Sequence, residues 1–238
     1  MALPKLNETL NMTMVIPSTK KRVKFRPYLV KEEKILLQAF ESQNLQLILD
    51  TMCDTIESCL DPKENVQVSD LATFDVEYMF TQIRSASVGE HSTILSKCKN
   101  CETENPIKVD LSSLEVEVND VDNVIDITDD ISVEMKYPTY HGIANPNSEI
   151  TDENDPETIM NIVASSISAV LTNEDRIDVA KEDPSEVKDF LDSLTTSQFQ
   201  KLSAFLQDMP SLTHTAEFKC TECETENTVV LKGLADFF

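Results

Sequence analysis

KCKNCETEN at residues 97–105 and KCTECETEN at residues 219–227 are two copies of one short motif. Seven of the nine positions are identical, and each copy holds a Cys-x-x-Cys pair between strand-like sequences. Two residues between cysteines is the spacing at which one tight turn presents both thiolates to the same tetrahedral Zn²⁺. We call residues 97–105 the first hook and residues 219–227 the second hook.

Together the two hooks predict a four-cysteine zinc site. Its ligands are Cys98, Cys101, Cys220 and Cys223. Because protein thiolates fill all four positions, no coordination position stays open for an activated water, and the zinc is expected to be structural. The 118 residues from Glu102 to Lys219 far exceed the ~15–20 of a continuous ribbon, so the ribbon must be discontinuous.

Two other interpretations of the hooks stay open. The cysteines can form reduced, metal-free turns, or they can form a thioredoxin-like redox site. Two equivalent hooks without a βαβ context disfavour the redox site. One departure from common zinc knuckles is the residue after the second cysteine, which is often a glycine in a left-handed turn; here it is Glu102 or Glu224.

The remaining cysteines and the histidines are not expected to bind metal. Cys53 and Cys59 lie on or beside the apolar stripe of a predicted helix, so we interpret them as core or half-buried residues. His91, His141 and His214 are far apart in sequence, and we interpret them as strand or loop residues.

Strands surround the hooks, and helices fill most of the remaining sequence. Alternating apolar and charged residues predict antiparallel strands, while apolar residues at spacings of 3, 4 and 7 predict helices. One of these helices would start at the Asp155-Pro156 cap and carry an apolar face from Ile159 to Leu171. Helix start signals occur at Asp183, before a proline, and at Thr195, three residues before Gln198. We therefore expect an α+β fold with helical bundle elements and a small antiparallel sheet that carries the discontinuous four-cysteine zinc ribbon.

The expected domain organisation has three parts. Residues 1–90 form an N-terminal basic arm and helices. Residues 91–140 and 211–238 together form the discontinuous β zinc-ribbon region. Residues 141–210 form a helical region that is inserted between its two halves.

Composition restricts the classes of function. The chain has 238 residues, 40% of them hydrophobic, with only three glycines and a net charge of −23. Such an acidic protein repels phosphates, so neither nucleic acid nor an anionic membrane is an expected partner. No apolar run approaches the ~18 to 20 residues of a membrane span, and no secretory signal is visible, so we expect a protein of a reducing cytoplasm.

The N-terminal segment has the opposite charge. Residues 1–34 carry eight basic and three acidic side chains, a net +5, which leaves −28 on the rest of the chain. The basic residues Lys20, Lys21, Arg22, Lys24 and Arg26 form the candidate partner-binding set. Alternating Val23 and Phe25 are expected to anchor the segment on its own core while the charges face an acidic neighbour. Neutralisation of acids within the same domain is the competing interpretation.

No enzyme is predicted. The sequence contains no phosphate-binding glycine loop, no nucleophile elbow and no HExxH zinc motif. The acidic residues between the predicted C-terminal helices are most simply a solvated surface, because paired catalytic carboxylates need a pocket.

Several stretches resemble one known family. They are IPST (16–19), KFRP (24–27), VKEEKILL (30–37), residues 77–85, VGE (88–90) and GLADFF (233–238). These stretches resemble the baseplate hub assembly family of T-even-like, contractile-tailed phages. The resemblance implies a non-enzymatic hub subunit or hub assembly factor, whose partners are other baseplate or tail proteins or a second copy. It also implies a location in the host cytoplasm during assembly or in the tail baseplate of the virion.

A second hypothesis comes from another class of protein. The hooks alone are compatible with a zinc-ribbon nucleic-acid adaptor, such as a phage transcription factor. A DNA reader would show a basic stripe near the hooks, whereas Val109-Asp110 and residues 114–117 are acidic or neutral. The charge around the hooks therefore favours a protein–protein role.

Overall fold

A computed structural model describes residues 12–42, 44–116, 118, 122–139 and 156–237. The chain forms two compact units. The first draws on the sequence up to Val118 and from Pro210 onwards, and the second comprises Asn119–Met209. Six α-helices and small antiparallel sheets lie in the described residues, so the predicted α+β class is confirmed. No helix in these ranges is both long enough and apolar enough to cross a lipid bilayer.

The described part of the first unit opens with a hairpin that is followed by three helices. Strands β1 (Met12–Val15) and β2 (Arg22–Phe25) pair antiparallel, and helices α1 (Val30–Glu41), α2 (Leu45–Cys59) and α3 (Thr73–Val88) follow. The Asn44 side chain accepts a hydrogen bond from Leu47 N–H and caps α2. Helix α2 contacts both α1 and α3.

The β1–β2 hairpin is joined to the end of α2 by backbone hydrogen bonds. Arg26 N–H donates to the Cys59 carbonyl at 2.9 Å, and Asp61 N–H donates to the Lys24 carbonyl at 3.0 Å. Val23 and Phe25 are buried on the inner face. The expectation that these two residues anchor the basic segment on its own core is confirmed.

Two further hairpins complete the first unit. Strands β3 (His91–Lys97) and β4 (Glu104–Asp110) form one, and β9 (Thr213–Lys219) and β10 (Glu226–Lys232) form the other. Strand β4 contacts β9, and one apolar cluster unites the hairpins. Its buried members are Ile107, Val109, Leu111, Leu114, Leu212, Ala216 and Leu231. The shared core therefore brings together two segments that are far apart in sequence.

The described residues of the second unit form a four-stranded antiparallel sheet and three helices. The sheet order is β5 (Val124–Asp126), β6 (Ile131–Met135), β7 (Ile167–Thr172) and β8 (Arg176–Asp178). The helices are α4 (Pro156–Ser165), α5 (Pro184–Asp192) and α6 (Thr196–Gln207). Their core includes Val133, Ile167 and Leu202, and Tyr137 stacks on Phe205 with ring centroids 5.4 Å apart.

The structure corrects the helix that was expected from Ile159 to Leu171. Helix α4 ends at Ser165, where Ser166 N–H caps the carbonyls of Ile162 and Val163, and the chain continues as β7. Apolar spacings of 3 and 4 do not distinguish a helix from a helix followed by a strand, and pairing of β7 with β6 provides ladder hydrogen bonds for the β-branched residues.

The sequence-based boundary at residue 140 does not follow the sheet. Strands β5 and β6 precede that boundary, yet they pair with β7 and share the apolar core of the second unit. The helical region expected over 141–210 also contains the strands β7 and β8. The reason is that β6 and β7 bury Val133 and Ile167 against the helices, whereas the hairpins β3–β4 and β9–β10 have a core of their own.

Candidate metal centre

Each hook is the turn of one hairpin, and the two turns have the same backbone geometry. In the first hook, Cys98 N–H donates to the Thr103 carbonyl at 2.9 Å, and Glu102 N–H donates to the Cys98 carbonyl at 2.9 Å. In the second hook, the equivalent bonds of Cys220 and Glu224 measure 3.0 and 3.1 Å. Identical residues at seven positions therefore produce the same local structure twice.

The residue after the second cysteine of each hook has a left-handed backbone. Glu102 has φ of 59° and Glu224 has φ of 57°. Glycine is the residue that usually has this conformation. The glutamate therefore replaces the glycine of common zinc knuckles without changing the shape of the turn. Lys219 Nζ lies 2.9 Å from Glu224 Oε2 across the exposed face of the second hook.

The four hook cysteines come together at one point. Their Sγ atoms all lie within 4.8 Å of one another, and the Cys98–Cys223 and Cys101–Cys220 pairs are both 3.6 Å apart. These distances are too long for a disulfide, whose sulfurs are about 2.05 Å apart. A Zn–S bond of about 2.3 Å gives a tetrahedron with edges of about 3.8 Å. The four sulfurs therefore fit a tetrahedral metal ion.

Hydrogen bonds around the sulfurs favour the thiolate form. Backbone N–H groups of Asn100 and Cys101 lower the pKa of Cys98, and the Thr225 side chain and N–H lower the pKa of Cys223 to about 5. Bonds from Thr103 act on Cys101 in the same direction, but neighbouring thiols and burial raise the pKa of Cys101 to about 11. The pKa values of Cys98 and Cys223 are thus lowered, while the pKa of Cys101 is raised.

Cys53, Cys59 and the two histidines among the described residues lie outside this cluster. Burial raises the pKa of Cys53 to about 11 and also raises that of Cys59, which fits unreactive thiols on α2. His91 and His214 lie on β3 and β9 and are not members of the cluster. His141 lies outside the described residues.

Of the five candidate partner-binding residues, four are exposed and one is buried. Lys20, Lys21, Arg22 and Lys24 are exposed, and we call them the basic hairpin surface. Lys21 also reaches the carbonyl and carboxylate of Glu64, which is neutralisation within the same unit. Arg26 instead points inward.

Arg26 holds three elements of the first unit together. Its guanidinium donates to Glu32 Oε1 at 2.9 Å and to the carbonyls of Pro27 and Ser58 at 2.9 Å. Burial alone would raise the pKa of Glu32, but hydrogen bonds from Arg26, Leu29 N–H and Lys31 outweigh burial and lower it. A basic run contains no signal for which side chain points to the core, so the inward position of Arg26 was not predicted.

Two asparagines at the metal centre were missed by sequence reasoning. Asn105 and Asn227 close their respective hooks, are both buried, and each contacts the opposite hook. Their signal was present, since the repeat extends to the final asparagine in both copies. The spacing of the cysteines alone does not identify these two asparagines.

Comparison with known proteins identifies the family of this chain and one related protein. The model of the T4 bacteriophage base plate protein family matches residues 8–238, so the chain belongs to that family. This confirms the resemblance noted in the sequence. The baseplate hub assembly protein gp26 of Enterobacteria phage T4 is 22% identical over 218 residues, which cover 92% of this chain and 93% of that protein. No solved structure matches the chain.

Proposed function

We propose that this protein is a non-enzymatic component or assembly factor of a phage baseplate hub, which acts through protein–protein contacts and is stabilised by a structural zinc. The observation that carries the proposal is the family match over residues 8–238, which extends across both units and both hooks. The relative from phage T4 is named as a hub assembly protein, which supports the hub as the place of action.

The geometry of the hooks supports the zinc. Four sulfurs from two hairpins surround one point at distances that suit a tetrahedral ion. When bound, the ion would supply a cross-link between the two hairpins, because protein thiolates would fill all four of its positions. Structural zinc contributes about 10–16 kcal/mol in finger peptides, which is large compared with the contribution of a single hairpin core. The zinc would therefore join the two segments of the first unit.

The basic hairpin surface is the proposed contact with another protein. The exposed lysines and arginine of β2 and the preceding turn have Val23 and Phe25 fixed beneath them, so the strand presents its charges from a rigid support. An acidic surface on another baseplate or tail protein, or on a second copy of this acidic chain, matches that charge. This contact would set orientation and association rate more than affinity.

The charge of the hooks gives no support to the nucleic-acid adaptor. Exposed acids at the hooks outnumber exposed bases by five to three. The acids are Glu102, Glu104, Glu222, Glu224 and Glu226, and the bases are Lys97, Lys99 and Lys219. A phosphate backbone would meet net repulsion at this surface.

Quantitative mass spectrometry of purified virions and of baseplate intermediates from infected cells tests the proposed role. A constant copy number in virions would identify a structural hub component that remains in the tail. Presence on intermediates and absence from virions would identify an assembly factor that acts in the host cytoplasm. Absence from both would overturn the proposed function.

A further inference from the structure

The two hooks are connected by a reciprocal pair of buried asparagines. Asn105 Oδ1 accepts hydrogen bonds from Thr221 N–H at 2.9 Å and from Thr221 Oγ1 at 3.1 Å. Asn227 Oδ1 accepts a hydrogen bond from Lys99 N–H at 2.9 Å. Each asparagine belongs to one hook and binds the first residue after the first cysteine of the other, so the contact is the same in both directions.

The amide nitrogens of the same side chains face the sulfurs. Asn105 Nδ2 lies 3.6 Å from Cys220 Sγ, and Asn227 Nδ2 lies 3.5 Å from Cys98 Sγ. Each nitrogen also donates to a carbonyl in its own hook, to Thr103 or Thr225, at 2.8 Å. The own-hook bond fixes the amide plane, and the second N–H then points at the cysteine of the opposite hook.

Burial makes these contacts specific for the docked arrangement of the hooks. Asn105 is 1% exposed and Asn227 is 4% exposed. A buried amide without partners is costly, and both amides obtain partners from the opposite hook only when the two hairpins meet. The contacts thus favour one register between segments that are more than one hundred residues apart in sequence.

The sulfurs that receive these amides are the two buried ones. Cys98 and Cys220 are buried, whereas Cys101 is exposed and Cys223 is half-buried. Thr103 and Thr225 hydroxyls lie 3.4 and 3.2 Å from the sulfurs of Cys101 and Cys223. Four thiolates around one Zn²⁺ leave an excess of two negative charges, and N–H donors compensate that charge where water is excluded.

We propose that Asn105 and Asn227 are positioning residues of the metal centre, which lock the two hooks together and hold the buried sulfurs of Cys98 and Cys220 for the ion. The inference rests on the proposed zinc site. It adds that the site has an internal two-fold arrangement in which each hook supplies two ligands of its own and one amide donor to the other hook.

The test uses the full-length protein with Asn105→Ala, Asn227→Ala and the double substitution. Glu104→Gln is the matched control, because Glu104 neighbours Asn105 and is exposed. Zinc content is measured by elemental analysis, and zinc release is measured by transfer to a chromogenic chelator. Outer-shell partners of metal ligands typically contribute 10–100-fold in metal affinity. We expect about tenfold faster release from each single variant, a larger increase from the double variant, and no change in the control.

Cobalt substitution separates positioning from general stability. In Co²⁺-loaded protein, loss of the donor to Cys98 in Asn227→Ala should move the thiolate-to-metal charge-transfer band while the tetrahedral d–d bands persist. A residue that only stabilises the fold would leave the charge-transfer energy of the loaded site unchanged. If the alanine variants do not fold, Asn227→Asp keeps the side-chain size and the acceptor for Lys99 N–H, while a carboxylate oxygen replaces the amide donor to Cys98.

The outcomes distinguish the inference from the zinc proposal. Wild-type protein that binds neither zinc nor cobalt would overturn both. Wild-type protein that binds one zinc, with release rates and charge-transfer bands that are unchanged in the asparagine variants, would overturn the role of Asn105 and Asn227 and leave the zinc site standing. Faster release together with a shifted band would support both.

Discussion

Glu102 and Glu224 have left-handed backbones although both carry a Cβ atom. For L-residues this region costs roughly 1–2 kcal/mol, because Cβ approaches the neighbouring carbonyl oxygen. The turn tolerates that cost because backbone bonds from Glu102 and Glu224 to the carbonyls of Cys98 and Cys220 over-determine its shape. Each hook therefore contains a small amount of strain next to its cysteines.

The first prediction concerns this strain. Glu102→Gly should raise the free energy of unfolding relative to Glu102→Ala by about 1 kcal/mol, because only glycine is unstrained at positive φ. Glu102 is the better site than Glu224, since Glu224 also contacts Lys219. Chemical denaturation of the two variants under equal zinc provides the measurement. Equal stability of the glycine and alanine variants would contradict the left-handed turn.

The second prediction concerns the metal ligands. Cys220→Ser should abolish zinc binding and separate the two hairpins, because it removes one of four thiolates from the cluster. Cys53→Ala should retain one zinc per chain, since Cys53 lies on α2. Elemental analysis of both purified variants measures the difference. Metal-free wild-type protein from zinc-replete cells would show that the hooks are reduced turns.

The third prediction concerns the buried ion pair between Arg26 and Glu32. Arg26→Ala should destabilise the protein by about 3 kcal/mol, because the buried carboxylate of Glu32 then keeps only Leu29 N–H and Lys31 as partners. Arg22→Ala, on the exposed face of the same strand, should change stability by less than about 0.5 kcal/mol. Urea denaturation of the two variants gives the comparison. Similar losses would contradict the inward position of Arg26.

The same pair should make stability depend on pH in acid. The folded state holds the pKa of Glu32 below its ordinary value. The stability contributed by the pair is therefore fully present above the unfolded pKa of Glu32 and is lost as the pH falls through the folded pKa. In Arg26→Ala this part of the acid dependence should be smaller, because only Leu29 N–H and Lys31 then lower the pKa of Glu32 against burial. Denaturation at a series of acidic pH values detects the difference.

At the scale of elements, helix starts were predictable where the capping chemistry is local. The Asp183 side chain accepts from Ser185 N–H at 2.9 Å at the start of α5, and Thr195 forms a capping box with Gln198 at the start of α6. Both starts were predicted from the sequence because a cap is decided within four residues. The end of α4 was not, since it depends on the pairing of β7 with β6.

The fourth prediction tests the cap of α6. Thr195→Ala should destabilise the second unit by about 1 kcal/mol, because Gln198 N–H loses its acceptor and the Gln198 side chain loses one partner. Thr195→Ser keeps the hydroxyl and should stay within a few tenths of a kcal/mol of the wild type. Thermal and urea denaturation followed by circular dichroism compare the variants. An alanine variant as stable as the serine variant would show that the cap contributes nothing.

The four-cysteine cluster shows which features of a site can be predicted from the spacing of residues in the sequence. The Cys-x-x-Cys repeat predicted which four residues meet, because a duplicated turn of this kind between strands is typical of a four-cysteine site. The roles of Asn105 and Asn227 depend on how one hairpin faces the other. How the two hairpins face each other depends on the core shared by β4 and β9, and no local sequence pattern contains that information.

At the scale of the whole molecule, chain order and spatial units do not coincide. The first unit is made of two segments, and the second unit is inserted between them in sequence. The large separation of the two hooks in the sequence predicted an insertion between them. Its boundary was expected near residue 140 because β5 and β6 have the same alternating pattern as β3 and β4. Alternation identifies a half-buried strand but not the sheet to which it belongs.

Charge is also distributed unevenly over the chain. Residues 1–34 carry a net +5, and the remainder carries −28. Within the candidate set, Arg26 is part of the core and Lys21 contacts Glu64. Lys20, Arg22 and Lys24 are therefore the residues whose reversal tests docking with the least disturbance of contacts inside the first unit.

The control for this test must match its effect on total charge. The variant Lys20→Glu, Arg22→Glu, Lys24→Glu makes the protein more acidic by six charges. Reversal of three exposed lysines elsewhere, Lys108, Lys188 and Lys232, changes the net charge by the same amount. A difference between the two triple variants then reports the position of the charges and not their sum.

The fifth prediction is that the hairpin variant folds but fails in assembly. Exposed ion pairs contribute only about 0–1 kcal/mol, so its unfolding free energy should remain close to that of the control. Complementation of a phage that lacks this chain should yield few complete baseplates with the hairpin variant and normal numbers with the control. Binding of the hairpin variant to baseplate intermediates should recover in part as salt rises, because added ions screen the repulsion between the reversed charges and the acidic partner surface, whereas binding of the wild type should weaken. Normal assembly by the hairpin variant would exclude the basic hairpin surface from the interface and leave neutralisation within the first unit as the role of these charges.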